Sequence, residues 1–192
     1  MRHTLLIAAA VGLVAACSSS NDPSAPAANV AAVADDAHAS HAAVGNGVLT
    51  PQQLQGVAAV RKATTSFHHF DAAQLAGYDL QYPPGCAESA QGAQAFHYLN
   101  QSLVDGTVEL LRPELLMYEP QPNGKLQLIG VDYVVPLALS ETAPTLLGVP
   151  FARNDPLGVW ALHIWSARPN PDGMFAAWNP KVSCKYASLV TP

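Results

Sequence analysis

The fourteen aromatic residues of this 192-residue chain all lie after residue 66. Aromatic side chains bring the largest apolar surfaces to a core, so a core can form only in the later part of the chain. Residues 18–48 contain ten alanines and no lysine, arginine or aromatic residue. Such a segment buries too little apolar surface to offset the entropy lost on ordering it. The sequence therefore predicts a disordered tether over residues 17–48 and a single folded domain over residues 49–192.

The N-terminus has the three-part layout of an export signal. A basic start is followed by an apolar run over residues 5–14 and by small residues before Cys17, and the run is too short to cross a bilayer as a mature helix. Residues 14–17 also resemble a bacterial lipoprotein signal, which implies cleavage before Cys17, lipidation of its thiol and anchoring to a membrane. We expect a signal peptide over residues 1–16 and a location in the bacterial cell envelope, at the outer membrane if the host is Gram-negative because Ser18 follows the cysteine. An ordinary secretory signal is the alternative.

The charge balance excludes one class of partner. Nine lysines and arginines face fourteen aspartates and glutamates, which gives a formal net charge of −5. A nucleic-acid-binding surface needs basic residues to neutralise phosphates, so nucleic acid is not an expected partner. The chain also has no GxSxG motif and no glycine-rich nucleotide loop, the signatures of α/β-hydrolases and nucleotide-binding proteins. The membrane is the one partner that the sequence indicates, and protein partners stay open.

A capping box marks the start of the folded domain. Thr50 has the position of an N-cap, Pro51 that of the first helical residue and Gln53 that of the reciprocal partner of the cap. Apolar residues then recur every three or four positions until Gly77, a residue type that commonly ends helices. The pattern predicts one long helix over residues 51–76.

Four later segments have the composition of strands: residues 94–99, 114–119, 126–135 and 159–167. The second and third are joined by a segment that contains Asn123-Gly124, a typical hairpin turn. A helix followed by antiparallel strands predicts an α+β fold. We therefore expect one long N-terminal helix packed on an antiparallel sheet of about four strands.

Two cysteines remain as a pair once Cys17 is lipidated. Cys86 and Cys184 belong to a chain predicted to be exported, and disulfides form readily outside the cytosol. Neither cysteine has a CxxC partner or a neighbouring histidine, which a thiolate metal site or an activated nucleophile would favour. Those two uses are the alternatives. We expect one Cys86–Cys184 disulfide that staples the domain.

Polar residues inside apolar strands identify a candidate site. His97, Asp132 and His163 each interrupt an otherwise apolar strand. His68 lies on the helix stripe that is predicted to face the sheet, and Glu114 opens the second strand. If these faces all point to the helix, three histidines and up to two carboxylates converge in an apolar environment.

This expectation depends on the phase of each strand, because side chains two residues apart share a face. Strict alternation over residues 126–135 places Asp132 with Leu128 and Val134, and places Ile129 on the opposite face. A slip of one residue would move any member to the other side of the sheet.

Such a cluster suits three kinds of role. Three histidines with a carboxylate suit zinc, copper or iron at a site with an open coordination position. A histidine–acid pair could instead transfer protons on a bound small molecule. A buried polar network, in which His163 and Asp132 satisfy each other, is the structural alternative. No HxH, HExxH or CxxC spacing is present to select among them.

Several motifs of the domain resemble a family of exported bacterial proteins of unknown function. The most specific part is the C-terminal block, which reads Leu162-His163-Ile164-Trp165, Asn170-Pro171, Gly173-Met174-Phe175, Trp178-Asn179-Pro180 and Cys184. Earlier matches are Phe67-His68, Gly77-Tyr78, Cys86, Phe96-His97-Tyr98, Arg112-Pro113-Glu114 and Gly130-Val131-Asp132-Tyr133. The resemblance implies that four candidate site residues and the two cysteines belong to one recurring pattern. The four site residues are His68, His97, Asp132 and His163. It implies no activity, cofactor or fold.

The sequence supports one main function and two alternatives. The main one is a membrane-tethered envelope lipoprotein with a histidine-lined pocket for a metal or a small ligand. The alternatives are a structural or interaction domain without a ligand, and a metal- or histidine-dependent enzyme that uses the same pocket. The candidate metal or ligand residues are His68, His97, Glu114, Asp132 and His163.

Overall fold

A computed structural model describes residues 48–190 of the chain. The predicted signal peptide over residues 1–16, the lipidation site Cys17 and all of the tether except its last residue lie outside the described residues, as do residues 191–192. No helix in the described range is long and apolar enough to cross a membrane.

The described part begins with the predicted capped helix. Helix α1 spans Pro51–Ala63. The Thr50 hydroxyl accepts a hydrogen bond from the Gln53 backbone N–H at 3.2 Å, and the Gln53 side-chain oxygen accepts one from the Thr50 N–H at 2.9 Å. This reciprocal pair satisfies two of the N–H groups that a helix start leaves unpaired. The predicted capping box is confirmed.

The single long helix predicted over residues 51–76 is wrong. The helical backbone ends at Thr64, a 3₁₀ helix follows over Thr65–His68, His69 is extended, and helix α2 spans only Phe70–Leu75. Within the described residues, α1 is therefore the only α-helix of more than six residues.

Local hydrogen bonds and one tertiary contact explain the break. The hydroxyls of Thr64 and Thr65 donate to the carbonyl oxygens four residues earlier, both at 2.9 Å. Threonine is a weak helix former, and these bonds offer the backbone an alternative to a regular helix. The Tyr118 hydroxyl then donates to the Phe67 carbonyl oxygen at 2.7 Å, which satisfies a group that has left the helical pattern. Apolar periodicity alone carries none of this information.

The strands within residues 48–190 are β1 (Leu80–Gln81), β2 (Ala87–Ser89), β3 (Gly92–Leu99), β4 (Leu115–Pro120), β5 (Leu126–Pro136), β6 (Thr145–Leu146), β7 (Val149–Pro150), β8 (Ala152–Asn154) and β9 (Val159–Ile164). Seven of them form one antiparallel sheet in the order β1–β3–β4–β5–β9–β8, with β2 also paired to β3. Strands β6 and β7 form a separate hairpin. Short 3₁₀ helices cover Gln101–Leu103 and Ala187–Leu189.

The fold is thus mostly antiparallel sheet, which corrects the predicted α+β arrangement of a long helix on about four strands. The four predicted strands correspond to β3, β4, β5 and β9, and the Asn123-Gly124 turn joins β4 to β5 as expected. Gly124 has a φ of 73°, a conformation that favours glycine in tight turns. The strands that the sequence did not predict contain two or three residues each, too few for alternation to be visible.

One face of the sheet packs against the helices, and we call it the helix face. Val57 and Val60 of α1 and Ala73 of α2 are buried in its main apolar cluster. Alternate residues of the central strands complete that cluster: Phe96, Tyr98, Leu116, Tyr118, Val131, Tyr133, Leu162 and Ile164.

The opposite face, which we call the far face, is covered over one half by residues 174–184, which we call the C-terminal segment. Asn179 exchanges two backbone hydrogen bonds of 3.2 Å with Ala93, and the Trp165 indole N–H donates to the Ala176 carbonyl oxygen at 2.7 Å. A disulfide joins Cys86 to Cys184, which confirms the predicted pairing. A second apolar cluster lies here: Ala93, Ala95, Met117, Ile129, Trp165 and Val182.

A β-bulge in β5 changes which of its side chains lie on which face. The register of β4 against β5 skips Ile129, which is therefore an extra residue in the strand. Leu128 packs on the helix face and Ile129 on the far face. The predicted grouping of Leu128 with Asp132 is wrong for this reason, whereas Asp132 and Val134 do share the far face.

Removal of the disulfide should weaken the fold. The two cysteines are 98 residues apart in sequence, so Cys86→Ser/Cys184→Ser should lower the free energy of unfolding by about 2–5 kcal/mol, because the unfolded chain regains conformational freedom. Equilibrium urea unfolding followed by tryptophan fluorescence measures the change. As a control, a reductant should bring the wild type to the stability of the variant and leave the variant unchanged. Equal stability of the oxidised wild type and the variant would contradict this expectation.

Candidate functional site

Three of the five predicted site residues meet on the far face. His97 Nε2 lies 3.4 Å from His163 Nε2, and His163 Nε2 lies 3.5 Å from Asp132 Oδ2. One ligand atom from each residue falls within 4.8 Å of the other two. All three side chains are buried. We call these residues the His–Asp cluster.

The register of the sheet places the cluster. Asp132 on β5 pairs directly with His163 on β9. His97 on β3 pairs with Met117 on β4, which pairs with Gly130 on β5. Gly130 lies two residues before Asp132, so His97 lies on the same face of the sheet as Asp132, one row of paired residues away. Strands β3 and β9 are three strands apart, a separation of roughly 14 Å in a flat sheet with strands about 4.8 Å apart. Because the imidazole nitrogens of His97 and His163 are nevertheless only 3.4 Å apart, we infer that the sheet curls toward the far face.

Gly130 permits close approach at the centre of this curl. A Cβ atom at this position would lie 2.5 Å from the Ile164 carbonyl oxygen, 2.7 Å from Met117 Cε and 3.2 Å from Trp165 Cα. Two of these neighbours are backbone atoms, which cannot move aside as a side chain can. The absence of a side chain at Gly130 therefore lets β9 and Met117 close in beneath the cluster.

Asp132 lies in an environment that opposes its negative charge. Burial raises the pKa of the Asp132 carboxyl well above its ordinary value, and the nearby charge of Glu114 raises it further. Hydrogen bonding from the backbone N–H groups of Leu162 and Tyr133 lowers this pKa in part, while Oδ1 is buried and has no partner of good hydrogen-bond geometry among the described residues. No lysine or arginine is among the described residues that line the adjoining pocket. His163, whose Nε2 lies 3.5 Å from Asp132 Oδ2, supplies a positive charge when it is protonated, and a bound cation would supply one when it is neutral.

Glu114 lies beside the cluster rather than in it. Its carboxylate accepts a hydrogen bond from the Val134 backbone N–H at 3.2 Å, and burial raises its pKa to about 8. Asp132 senses the charge of Glu114, but the group of ligand atoms that could share a metal includes no oxygen of Glu114. The structure therefore does not bring Glu114 within ligand distance.

His68 lies away from the cluster. It is exposed at the end of the 3₁₀ helix, where it borders a surface cleft with Arg61 and Ser166. The prediction that the polar strand residues face the helix is wrong, because α1 packs on the helix face and the His–Asp cluster lies on the far face. Of the five predicted residues, only the members of the cluster converge.

The cluster lines a pocket of about 420 Å³ on the uncovered half of the far face. This volume lies within the range of small-molecule sites in proteins. The apolar wall of the pocket is a third buried cluster: Leu99, Leu115, Val134, Val159 and Ala161. Polar side chains are fewer and comprise Tyr82, Gln94, Gln101 and Asn154 besides the His–Asp cluster.

Gln94 is a pocket residue that the sequence analysis missed. Strict alternation would place it on the helix face with Phe96 and Tyr98, but the register of β2 against β3 skips it and Ala95 has a φ of 64°. Gln94 is fully buried, lines the pocket and donates a hydrogen bond from Nε2 to the Ala177 carbonyl oxygen at 3.0 Å. A glutamine inside an apolar strand is the one signal of this role in the sequence.

The arrangement matches the chemistry of an open metal site. Two imidazole nitrogens and one carboxylate oxygen are a ligand set that zinc and non-haem iron use when one or more coordination positions are left for water or substrate. The His163–Asp132 pair can also hold a proton between its nitrogen and oxygen. The 3.5 Å separation of that pair is long for a hydrogen bond.

Comparisons with known proteins add no evidence about the function. The chain matches no protein-family profile, no curated protein and no solved structure. The resemblance to exported bacterial proteins that the motifs indicate therefore stays a prediction.

Glu114 should make the stability of the protein depend on pH. The carboxyl has an ordinary pKa of 4.5 and a pKa of about 8 in the folded protein. Between these values the folded state keeps a proton that the unfolded state has released. The free energy of unfolding should therefore fall as pH rises from about 4.5 to about 8, by up to about 1.4 kcal/mol per pH unit. Glu114→Gln keeps an acceptor for the Val134 N–H and cannot ionise, so this part of the pH dependence should disappear.

Urea unfolding of the wild type and Glu114→Gln across this pH range, in buffer with EDTA, measures the difference. The chelator removes any contribution of metal bound at the neighbouring cluster. We expect the variant to gain stability relative to the wild type as pH rises and to be the more stable protein near pH 8. Parallel pH profiles would show that the raised pKa is wrong.

Proposed function

We propose that this chain is an exported, lipid-anchored envelope protein whose domain binds one divalent transition-metal ion through His97, Asp132 and His163. The spacing of the ligand atoms carries this proposal. Zinc lies about 2.0–2.2 Å from histidine nitrogen and carboxylate oxygen, so two ligands of a tetrahedral ion are roughly 3.3–3.5 Å apart. Two of the three separations within the cluster, 3.4 Å and 3.5 Å, have this value, and the third is no longer than 4.8 Å.

The charge balance of the site supports a cation. Asp132 and Glu114 are both buried and lie close enough for the charge of one to raise the pKa of the other. Buried carboxylates are costly unless a positive charge or several hydrogen bonds compensate them. Glu114, with a pKa of about 8, keeps its proton at neutral pH, so the charge to be compensated is that of Asp132. With no lysine or arginine among the described pocket residues, a divalent ion held by Asp132 and the neutral imidazoles would compensate it.

Asp132 also distinguishes this proposal from a self-contained polar network. In such a network each buried oxygen normally has a hydrogen-bond partner. Asp132 Oδ1 has no partner of good hydrogen-bond geometry among the described residues, although the backbone N–H groups of Leu162 and Tyr133 interact with the carboxyl and lower its pKa. An acceptor left over in this way is expected where a metal or a ligand completes the group.

Three protein ligands leave at least one coordination position for water or a small molecule. The pocket of about 420 Å³ lies on the same side as the cluster, so that position faces a space that a small molecule can enter. The nitrogen and carboxylate ligand set favours zinc, iron(II) or copper over magnesium and calcium, which prefer oxygen ligands.

Two observations support the export part of the proposal. The Cys86–Cys184 disulfide is typical of proteins that fold outside the cytosol. The basic start, apolar run and Cys17 of the sequence resemble a lipoprotein signal. The metal site would then lie in the envelope, on a domain anchored by lipid at Cys17.

Metal titration tests the proposed site. The full chain without a histidine tag, stripped with EDTA, should bind one equivalent of Zn²⁺ in isothermal titration calorimetry. His163→Ala and His97→Ala should each weaken that affinity at least about 100-fold, since each removes a direct ligand; loss of an outer-shell partner alone typically costs about 10–100-fold. His68→Ala removes an exposed histidine outside the cluster and serves as the matched control, with unchanged affinity.

Co²⁺ provides a second readout on the wild type, because its visible absorption spectrum reports coordination by nitrogen and oxygen ligands. Asp132→Asn should alter that spectrum with little change in side-chain volume, which separates loss of a ligand from loss of the fold. Absence of stoichiometric Zn²⁺, Fe²⁺ and Cu²⁺ binding by the wild type would overturn the proposal. Equal Zn²⁺ affinity of the wild type and His163→Ala would do so as well.

A further inference from the structure

We infer that the pocket beside the His–Asp cluster binds a small monocarboxylic acid, whose carboxylate takes the open position on the metal and whose apolar chain lies along the wall of the pocket. This ligand class rests on the proposed function, because the carboxylate would share the site with the metal ion. Three properties of the pocket support it: the order of its side chains along the strands, the use of its other polar groups, and the net charge of the metal-loaded site.

The lining of the pocket changes from polar to apolar along the strands. The paired residues of β5 and β9 that line it follow one another in the order Asp132–His163, Val134–Ala161 and Pro136–Val159. Successive pairs on one face are two residues apart, so the last pair lies roughly 13 Å along the strands from the first, at about 3.3 Å per residue. A molecule that lies along these strands therefore has the His–Asp cluster at one end and apolar side chains beside the rest of its length.

The apolar wall is large enough for a short carbon chain. Five buried side chains form it, and Val104 and Leu157 pack against them; the five are Leu99, Leu115, Val134, Val159 and Ala161. A carbon chain leaves water and gains dispersion contacts against these groups. The pocket volume of about 420 Å³ holds roughly fourteen groups of the size of a water molecule, at about 30 Å³ each. Octanoate, with ten non-hydrogen atoms, is within this limit.

The polar side chains outside the cluster either bind the backbone or border the opening of the pocket. Four of them line it: Tyr82, Gln94, Gln101 and Asn154. The side chains of Gln94 and Asn154 each make a hydrogen bond to the backbone, of 3.0 Å and 3.2 Å respectively. Tyr82 and Gln101 are exposed, so they lie where the pocket opens to solvent. The His–Asp cluster is therefore the main polar contact for the buried end of a ligand.

The charge of the metal-loaded site selects a monoanion. A divalent ion brings two positive charges and the Asp132 carboxylate one negative charge, while metal-bound imidazoles are neutral. One positive charge is left over, because no glutamate, lysine or arginine lines the pocket among the described residues. A buried charge without a partner is costly. A carboxylate neutralises it with one negative charge, whereas a phosphate monoester, with nearly two, would reverse it.

Octanoate and 1-octanol test the ligand class, because they share a chain and differ in the charge of the head group. NMR titrations use the ¹⁵N-labelled full chain, in one series loaded with one equivalent of Zn²⁺ and in the other kept in EDTA. Zn²⁺ should tighten octanoate binding at least about tenfold, the lower value for an interaction with a charged group, and should leave 1-octanol binding nearly unchanged. Without the ion, the described lining offers no lysine or arginine to the carboxylate, so 1-octanol should be the tighter ligand.

Ala161→Leu tests the position of the chain. Ala161 lies in the middle pair of the apolar wall, so a larger side chain there displaces at least two methylene groups of the ligand. Each buried methylene group contributes about fourfold to affinity. Octanoate should therefore bind the Zn²⁺-loaded variant at least about tenfold more weakly, while acetate, which reaches only the metal, should bind equally well. Ala58→Leu makes the same change at an exposed position of α1 and is the matched control, with both affinities unchanged.

The dependence on chain length in the wild type keeps the test decisive if Ala161→Leu does not fold. The affinity of the Zn²⁺-loaded protein should rise from acetate through butanoate and hexanoate to octanoate, by up to about fourfold per methylene group. Equal affinity for acetate and octanoate, octanoate binding that does not depend on Zn²⁺, or unchanged octanoate affinity in a folded Ala161→Leu would overturn the inference.

Failure of the proposed function and failure of the ligand class give different results. If the wild type binds no divalent transition-metal ion, the metal site is wrong and the ligand class is wrong with it. If the wild type binds one equivalent of Zn²⁺ and octanoate binding does not depend on the ion, the ligand class alone is wrong and the metal site stands.

Discussion

A sheet with apolar side chains on both faces must be covered on both, and the cover of this sheet is uneven. The helix face is closed by Val57 and Val60 of α1 and by the aromatic residues beneath them. On the far face, the C-terminal segment closes only the half that contains Met117 and Trp165. The other half keeps its apolar wall and remains a pocket. The pocket therefore exists because the C-terminal segment covers the far face only as far as the His–Asp cluster. At that boundary the apolar side chains of the sheet are followed by ionisable ones.

Departures from regular strand geometry build that site. The extra residue Ile129 resets the alternation of β5, so that Asp132 reaches the far face in phase with His163. Gly130 lets the neighbouring strand approach where the sheet curls, and the bulge at Gln94 places this residue on the side of the pocket. Bulges bend strands and increase their twist. The same local irregularities thus have two effects. They curve the sheet, which brings β3 and β9 closer together, and they place the side chains of the site on the curved face.

The predictable part of the molecule is the part encoded in short stretches of sequence. The capping box at Thr50, the turn at Asn123-Gly124 and the central strands follow from local chemistry. The members of the cluster could be predicted because only 12% of the residues are charged, so a charged residue such as Asp132 is unusual inside an apolar strand. Curvature, the end of α1 at Thr64 and the choice of face for the helix depend on contacts between distant residues, such as that of Tyr118 with Phe67. The prediction that His68 joins the cluster is wrong for this reason, because the position of His68 relative to the sheet depends on tertiary contacts.

The disulfide has a topological consequence for the site. His97, Asp132 and His163 all lie between Cys86 and Cys184 in the chain, so they belong to one covalent ring. A single cut by a protease in that ring, for example at the exposed turn residue Asn123, opens the ring without releasing a fragment. The two halves stay joined through sulfur, and the strands that carry the ligands remain at high effective concentration relative to one another. Separating the two histidines requires either a second cut or reduction of the bond, so the ring makes the assembly of the site tolerant of a single nick.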